Sequence, residues 1–148
     1  WLFTPTAKTP NGAVAQLRDF AVGLGAVSHV MRADEHDQLL AFLSHLPQVT
    51  ASALMHVVGS SIGAEGLRLT GRGLADTTRL ASSPPDIWRD ICATNSNDLA
   101  TALDVLIEQL QEIRNDLDGG EAITRVFESA GRWREVLAAE HAPQKNKR

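Results

Sequence analysis

A single cysteine, Cys92, stands among the 148 residues, so no disulfide forms within the chain and a reducing, cytoplasmic setting is expected. Charge of one sign is also scarce. The formal net charge is −4, and no basic stripe occurs outside Lys145-Asn146-Lys147-Arg148, so there is no electrostatic case for nucleic acid. No apolar run reaches membrane-spanning length and no signal-peptide pattern opens the chain, so no membrane partner is expected. No internal repeat occurs. No His or Glu pair shows the Glu-x-x-His or His-x-x-x-His spacing of helical metal sites, so no metal is expected. What remains is a chain 43% hydrophobic, long enough for one domain with a real core.

The first part alternates between strand and helix patterns. Trp1-Leu2-Phe3-Thr4 is short, apolar and strand-like, and ends at Pro5. Thr9 followed by Pro10 has the form of a cap with a first-turn proline, and Val14, Leu17, Phe20 and Leu24 then recur at helical spacing. Gly23 and Gly25 close that helix, and Ala26 to Met31 alternates as a strand. Strand, helix, strand is a βαβ unit, a parallel piece of a larger sheet. Two strands cannot bury both faces, so the rest of the sheet is expected upstream of Trp1. Residues 1–31 are therefore assigned as the last βαβ unit of a nucleotide-binding sheet.

Every periodic segment after Ala33 is helical, so the fold class is mostly α, with an all-α domain over residues 32–139 and a flexible tail over 140–148. One helix starts near His36 and continues past Pro47 to about Ile62, with a kink or break expected near Ser44. Gly59, Gly63, Gly66, Gly71 and Gly73 mark a loop, and a short helix covers Leu74 to Ala81. Ser83-Pro84-Pro85-Asp86 starts another helix, with Ser83 as its cap, ending near Thr94. Asn95 or Ser96 caps what is expected to be the longest helix, to about Leu117. Along it Leu99, Leu103, Leu106, Leu110, Ile113 and Leu117 alternate spacings of four and three, a seam for a second helix at a shallow angle. Asp118-Gly119-Gly120 stops it, and a last helix runs from Glu121 to Ala139.

The unusual helix is the one through Pro47. Asp37, Ala41, Ser44, Gln48 and Ser52 share one narrow stripe, while Leu39, Phe42, Leu43, Leu46 and Val49 spread over most of the rest. A helix so widely apolar is usually interior, and its polar stripe must meet partners in the core or a ligand. His45, beside the proline, meets either a ligand or carbonyls that the kink frees. Arg79 offers a planar fork for carboxylates and is expected to be partly buried; it either binds a ligand or pairs with Asp76 three residues earlier. Trp88 is either a ring-stacking wall or plain core. Asp37 can simply complement the start of its helix. Gly71-x-Gly73 is no dinucleotide fingerprint, since no strand precedes it and the third glycine is absent.

Two blocks carry a family resemblance. His36-Asp37 with Ser44-His45-Leu46-Pro47, then Gly71-Arg72-Gly73 through Asp76-Thr77-Thr78-Arg79 to Pro85 and Trp88-Arg89-Asp90-Ile91, resemble the helical half of the prephenate dehydrogenases, the group that includes arogenate (cyclohexadienyl) dehydrogenases of tyrosine biosynthesis. The resemblance spans roughly residues 1 to 118 and fades beyond. It implies an oxidoreductase that uses NAD or NADP, bound mainly by an absent N-terminal domain, to convert prephenate or arogenate by oxidative decarboxylation. It implies that Arg79 grips a substrate carboxylate, with Asp76 orienting it or lining the entrance. Ser44, His45, Gln48, Trp88 and Gly73 would complete the substrate site, Gly73 by letting backbone approach the substrate. Many relatives carry a second histidine where this chain has Gln48, which bears on the choice between a pyruvyl and an alanyl side chain. The family's glycine fingerprint and catalytic histidine precede Trp1, so no catalytic or cofactor-binding residue is expected in this chain and the chain alone is expected to be inactive. The resemblance further implies a homodimer through the helical domain, with Leu99, Leu103, Leu106 and Leu110 in the seam.

Two alternatives stand beside this one. A non-catalytic helical dimerisation or interaction module would have a polar stripe that is merely a satisfied core network. A dehydrogenase of β-hydroxy acids would need a catalytic lysine on the helix, and Ala33 to Ile62 contains none. On the enzyme reading, Gln48, Arg79 and Trp88 converge on one cleft.

Overall fold

The computed structural model describes residues 1–140, so the expected tail lies, from residue 141 on, outside the described residues. The chain is mostly helical with a two-stranded parallel sheet at its start. It divides into two compact units, Trp1–Leu103 and Asp104–Arg148.

In the first unit, β1 (Leu2–Phe3) pairs in parallel with β2 (His29–Val30), Leu2 opposite His29 and Phe3 opposite Val30. Between them lies α1 (Ala13–Gly23). Thr9 does not cap α1: its hydroxyl accepts from the Thr6 amide at 2.8 Å, and Gly12, at φ 83°, leads into the helix. The expected strand over Ala26 to Met31 shrinks to two residues because its first part finishes the helix. Ala26 N–H reaches the Ala21 carbonyl and Gly25 N–H the Val22 carbonyl, both at 2.9 Å, the paired bonds of a Schellman turn with Gly25 at φ 78°.

Helix α2 (Ala33–Leu40) carries Asp34 and Glu35 in its first turn, and the Glu35 carboxylate accepts from the Arg32 amide at 3.0 Å. The chain then runs through a π turn (Ala41–His45) into α3 (Leu46–Leu67). Pro47 thus neither breaks the helix nor sharply ends it. Its ring would crowd the carbonyl four residues back, and widening the preceding turn, with Leu46 N–H bonded to the Ala41 carbonyl, relieves that contact.

Gly59 and Gly66 sit within α3 and not in a loop. Gly63, at φ 63° and ψ −176°, does leave the helical region, so the regular stretch ends where the sequence placed it while helical turns continue to Leu67. The expected helix over 74–81 is two pieces: α4 (Arg72–Thr77) and a 3₁₀ turn (Arg79–Ser82) that packs on α3. Then α5 (Pro85–Thr94) begins at its proline, with Pro84 and not Ser83 at the cap position.

Helix α6 (Ser96–Asn115) crosses the division between the units. In the first unit its Leu99 and Ala102 are buried. The second unit holds the remainder of α6 and α7 (Glu121–Glu140). There Gly120, at φ 77°, turns the chain, and the Asp116 carboxylate accepts from Ala122 N–H at 2.6 Å, capping the start of α7. An Arg125–Glu112 ion pair ties the two helices on the surface. Along the expected seam Leu103 and Leu106 are half-buried and Leu110 is exposed.

Candidate functional site

The stripe on α2, the π turn and α3 is turned inward. Ala41, His45 and Gln48 are buried and Asp37, Ser44 and Ser52 half-buried, whereas Phe42 and Leu43 face outward, Leu43 at 67% exposure. Polar groups therefore lie where an ordinary helix buries leucine, and each must be matched.

Gln48, 5% exposed, is matched fully by protein. Its Nε2 donates to the Leu80 carbonyl at 2.8 Å and more weakly to the Ser52 hydroxyl at 3.4 Å. Its Oε1 accepts from the Ser83 hydroxyl at 3.2 Å. This is why Ser83 does not cap α5. The Gln48 amide grips both ends of the Leu80–Ser83 segment and so fastens the 3₁₀ turn that carries Arg79 to α3.

His45, 7% exposed, does not turn to carbonyls freed by Pro47. Its Nδ1 lies 3.3 Å from the Asn95 side-chain nitrogen, which also donates to the Asp37 carbonyl at 2.8 Å. Trp88 on α5 meets the His45 ring edge-on, centroids 6.1 Å apart and planes at 80°. Ser44 is half-buried in the π turn.

An open cleft lies beside this network, with Gln48, Ser52, Ala81, Ser83, Trp88, Arg89 and Cys92 among its walls. Gln48 and Trp88 thus share one cleft. Arg79 is not among its walls, although its neighbours Leu80 and Ala81 hold the turn against α3. Arg79 is exposed where partial burial was expected, since the half-buried Leu80 and Ala81 and the buried Thr78 make the packing contacts of that turn. No carboxylate among the described residues pairs with its guanidinium, Asp76 included, so the expected alternative of an Asp76–Arg79 lock is absent among them. Asp76 is exposed on α4. Gly73 also lies on α4, in its first turn, with open space around the position of a Cβ, so it is not part of a loop.

Sequence reasoning passed over three residues. Arg89 lines the cleft beside Asp86 and Asp90, at 3.4 and 3.5 Å. Ser83 and Asn95 both have cap-like positions, and that signal masked their long-range bonds. Only the demand that a buried histidine and glutamine find partners pointed toward them.

Among the described residues no strand leads into a glycine-rich helix start of the dinucleotide-binding kind. Gly71 opens α4 with no strand before it, and nothing there resembles a phosphate-binding turn. Among the described residues no helix is long and apolar enough to cross a membrane, and no group of three metal-ligating side chains is gathered.

Comparison with known proteins agrees with the helical fold. The family described as the prephenate dehydrogenase dimerization domain matches residues 32–129. The chain is 33% identical over 141 residues to prephenate dehydrogenase of Bacillus subtilis, covering 93% of this chain and 38% of that protein. It is 31% identical over 145 residues to cyclohexadienyl dehydrogenase of Zymomonas mobilis, covering 95% of this chain and 50% of that protein. The chain therefore spans half or less of these relatives' lengths. Among solved structures, prephenate dehydrogenase of A. aeolicus in complex with hydroxyphenyl propionate and NAD+ superposes with a TM-score of 0.81 at 26% identity, over 92% of this chain and 49% of that one. Synechocystis arogenate dehydrogenase shares the fold, with a TM-score of 0.78 at 22% identity over 92% of this chain and 51% of that one. With its helical architecture, inward polar stripe and residue 32–129 match, the chain belongs to the prephenate dehydrogenase dimerization-domain family.

Proposed function

We propose that the full-length protein carrying this chain is a dehydrogenase that oxidatively decarboxylates prephenate or arogenate, and that residues 32–139 supply its substrate wall and dimer contact. Family membership and the two relatives above 30% identity support this. The nicotinamide cofactor, NAD or NADP, accepts a hydride from the ring carbon that bears the hydroxyl, and loss of carbon dioxide makes the ring aromatic. Residues outside this chain hold most of that cofactor on this reading. Residues 1–31 are read as the closing βαβ unit of the cofactor domain, and the protein is read as cytoplasmic.

The observation that carries the proposal is the grip of Gln48 on the Leu80–Ser83 segment. It fastens the turn that carries Arg79 to α3, beside the cleft that Gln48 and Trp88 line. In this arrangement Arg79, whose guanidinium pairs with no carboxylate among the described residues, serves a substrate carboxylate. Trp88 walls the ring, His45 and Ser44 supply hydrogen bonds, and Asp76 and Gly73 stand at the entrance. Both ends of the Gln48 amide are engaged by protein, so we assign it to holding the turn and not to the substrate. For that residue the geometry favours the satisfied core network.

A homodimer accounts for the apolar side chains left on the surface. Phe42, Leu43 and Val57 on the π turn and α3 are exposed, as are Leu110, Phe127 and Trp133 in the second unit. The Leu99, Leu103, Leu106 and Leu110 seam is proposed as part of that contact.

The test is steady-state kinetics of the full-length protein with prephenate and with arogenate, beside Arg79→Ala. Loss of a charged hydrogen bond to substrate, about 1.5–3 kcal/mol, should raise KM roughly ten- to hundredfold with little change in kcat. Unchanged KM for both substrates would remove Arg79 from the site.

A further inference from the structure

We propose that Asn95 is a positioning residue that holds the His45 imidazole in one tautomer, with its proton on Nε2, so that the ring presents a single donor to a bound substrate. This rests on the reading of His45 as a substrate-facing group. Asn95 is 8% exposed, and its side chain reaches back to the Asp37 carbonyl and the His45 ring.

The argument is one of donors and acceptors. The Asp37 carbonyl can only accept, so the amide atom 2.8 Å from it must be the nitrogen. That nitrogen carries two hydrogens. One goes to Asp37, and the other faces His45 Nδ1 at 3.3 Å. Nδ1 must then be the acceptor, because a proton there would set N–H against N–H. The neutral ring is left with its proton on Nε2. Among the described residues no group accepts from Nε2. Trp88, edge-on to the ring, fixes its plane.

Asn95 is also poor at the role its position implies. It stands directly before α6, where an asparagine usually caps the helix with its own side chain. Here only its backbone carbonyl serves α6, accepting from Leu99 N–H at 3.1 Å, while the side chain crosses to the π turn. The Asp37 carbonyl already accepts from Ala41 N–H, so the amide occupies a second lone pair beside the widened turn. The π turn, the start of α6 and the face of α5 therefore meet on one imidazole.

The test reads the tautomer directly, by long-range ¹⁵N–¹H correlation of the uniformly labelled full chain, with His45→Gln identifying the His45 signals. The expected spectrum has Nδ1 in the unprotonated range and Nε2 in the protonated range. A proton on Nδ1, or an average of the two tautomers, overturns the proposal without any substitution at Asn95. Asn95→Asp replaces the donor with an acceptor and should move the proton to Nδ1, whereas Asn95→Ser keeps a donor and should leave it on Nε2. A spectrum indifferent to both also overturns the proposal. In the full-length protein Asn95→Asp should lower kcat/KM about three- to tenfold, with Asn95→Ser largely restoring it. If His45→Gln leaves kcat/KM unchanged while the spectrum shows Nε2–H, the substrate role of His45 fails and the tautomer assignment stands.

Discussion

The stretch from α2 through the π turn into α3 and the first half of α6 both carry apolar residues at helical spacing, yet they bury opposite faces. On α6 the periodic residues point inward as periodicity demands, with Leu99 at 5% exposure and Ala102 completely covered. On the π turn and α3 the buried groups are His45 and Gln48 with only the small Ala41 and Ala51 beside them, and Phe42 and Leu43 look out. The first helix is held by transfer of hydrocarbon from water. The second is held by matched hydrogen bonds, whose net worth is modest but whose loss is costly. A helix with polar groups inside and leucines outside is what the proposed substrate site and dimer contact would need on its two faces.

Substitutions can break this contrast. Leu99→Ala should be the most damaging, lowering unfolding free energy by about 2–5 kcal/mol in denaturant titration, because it leaves a cavity. Leu110→Ala, at a position 55% exposed, should cost far less unless a second copy covers it, so its effect should grow with protein concentration. Gln48→Leu should cost about 1–3 kcal/mol despite being more apolar, since it strands the Leu80 carbonyl and the Ser83 hydroxyl. If it stabilises the chain, the hydrogen-bonded account of α3 is wrong. Gly63→Ala should cost on the order of 1–3 kcal/mol from backbone strain at φ 63° and not from crowding, as no atom lies within 4 Å of the added Cβ.

The smallest effect belongs to Asp34, whose carboxyl the adjacent Arg32 guanidinium holds below the usual aspartate range. A depressed carboxyl stabilises the fold above its ordinary pKa, near 4, and that contribution fades as pH falls through the lower folded value. The pair is fully exposed, so Asp34→Asn should barely move the melting temperature at pH 7, and high salt should erase what shift there is.

Much of the fold could be read from residue patterns, for local reasons. Helices α1, α5, α6 and α7 follow apolar spacing and are punctuated by Gly25, Pro85 and Gly120, whose backbone preferences act over a few residues. The inward stripe was visible too, because Asp37, Ser44 and Gln48 fall on one side of a helix. What escaped was set at long range. Pro47 announced a disturbance but not that a π turn would absorb it. Gly59 and Gly66 resembled loop residues, although a helix tolerates them at about 1 kcal/mol each. The strand from Ala26 was cut short by the turn that finishes α1. Ser83 and Asn95 read as caps because their true partners, Gln48 and His45, lie 35 and 50 residues away. Arg79 was expected to be partly covered, and its exposure depends on which neighbours of a 3₁₀ turn make the packing contacts.

The central claim is that Gln48 acts through the turn that bears Arg79. The most direct measurement is a double-mutant cycle on substrate KM in the full-length protein, using Gln48→Leu, Arg79→Ala and the pair. If the amide positions the guanidinium, the double variant should bind substrate hardly worse than Arg79→Ala alone. Two independent losses that simply multiply would contradict it.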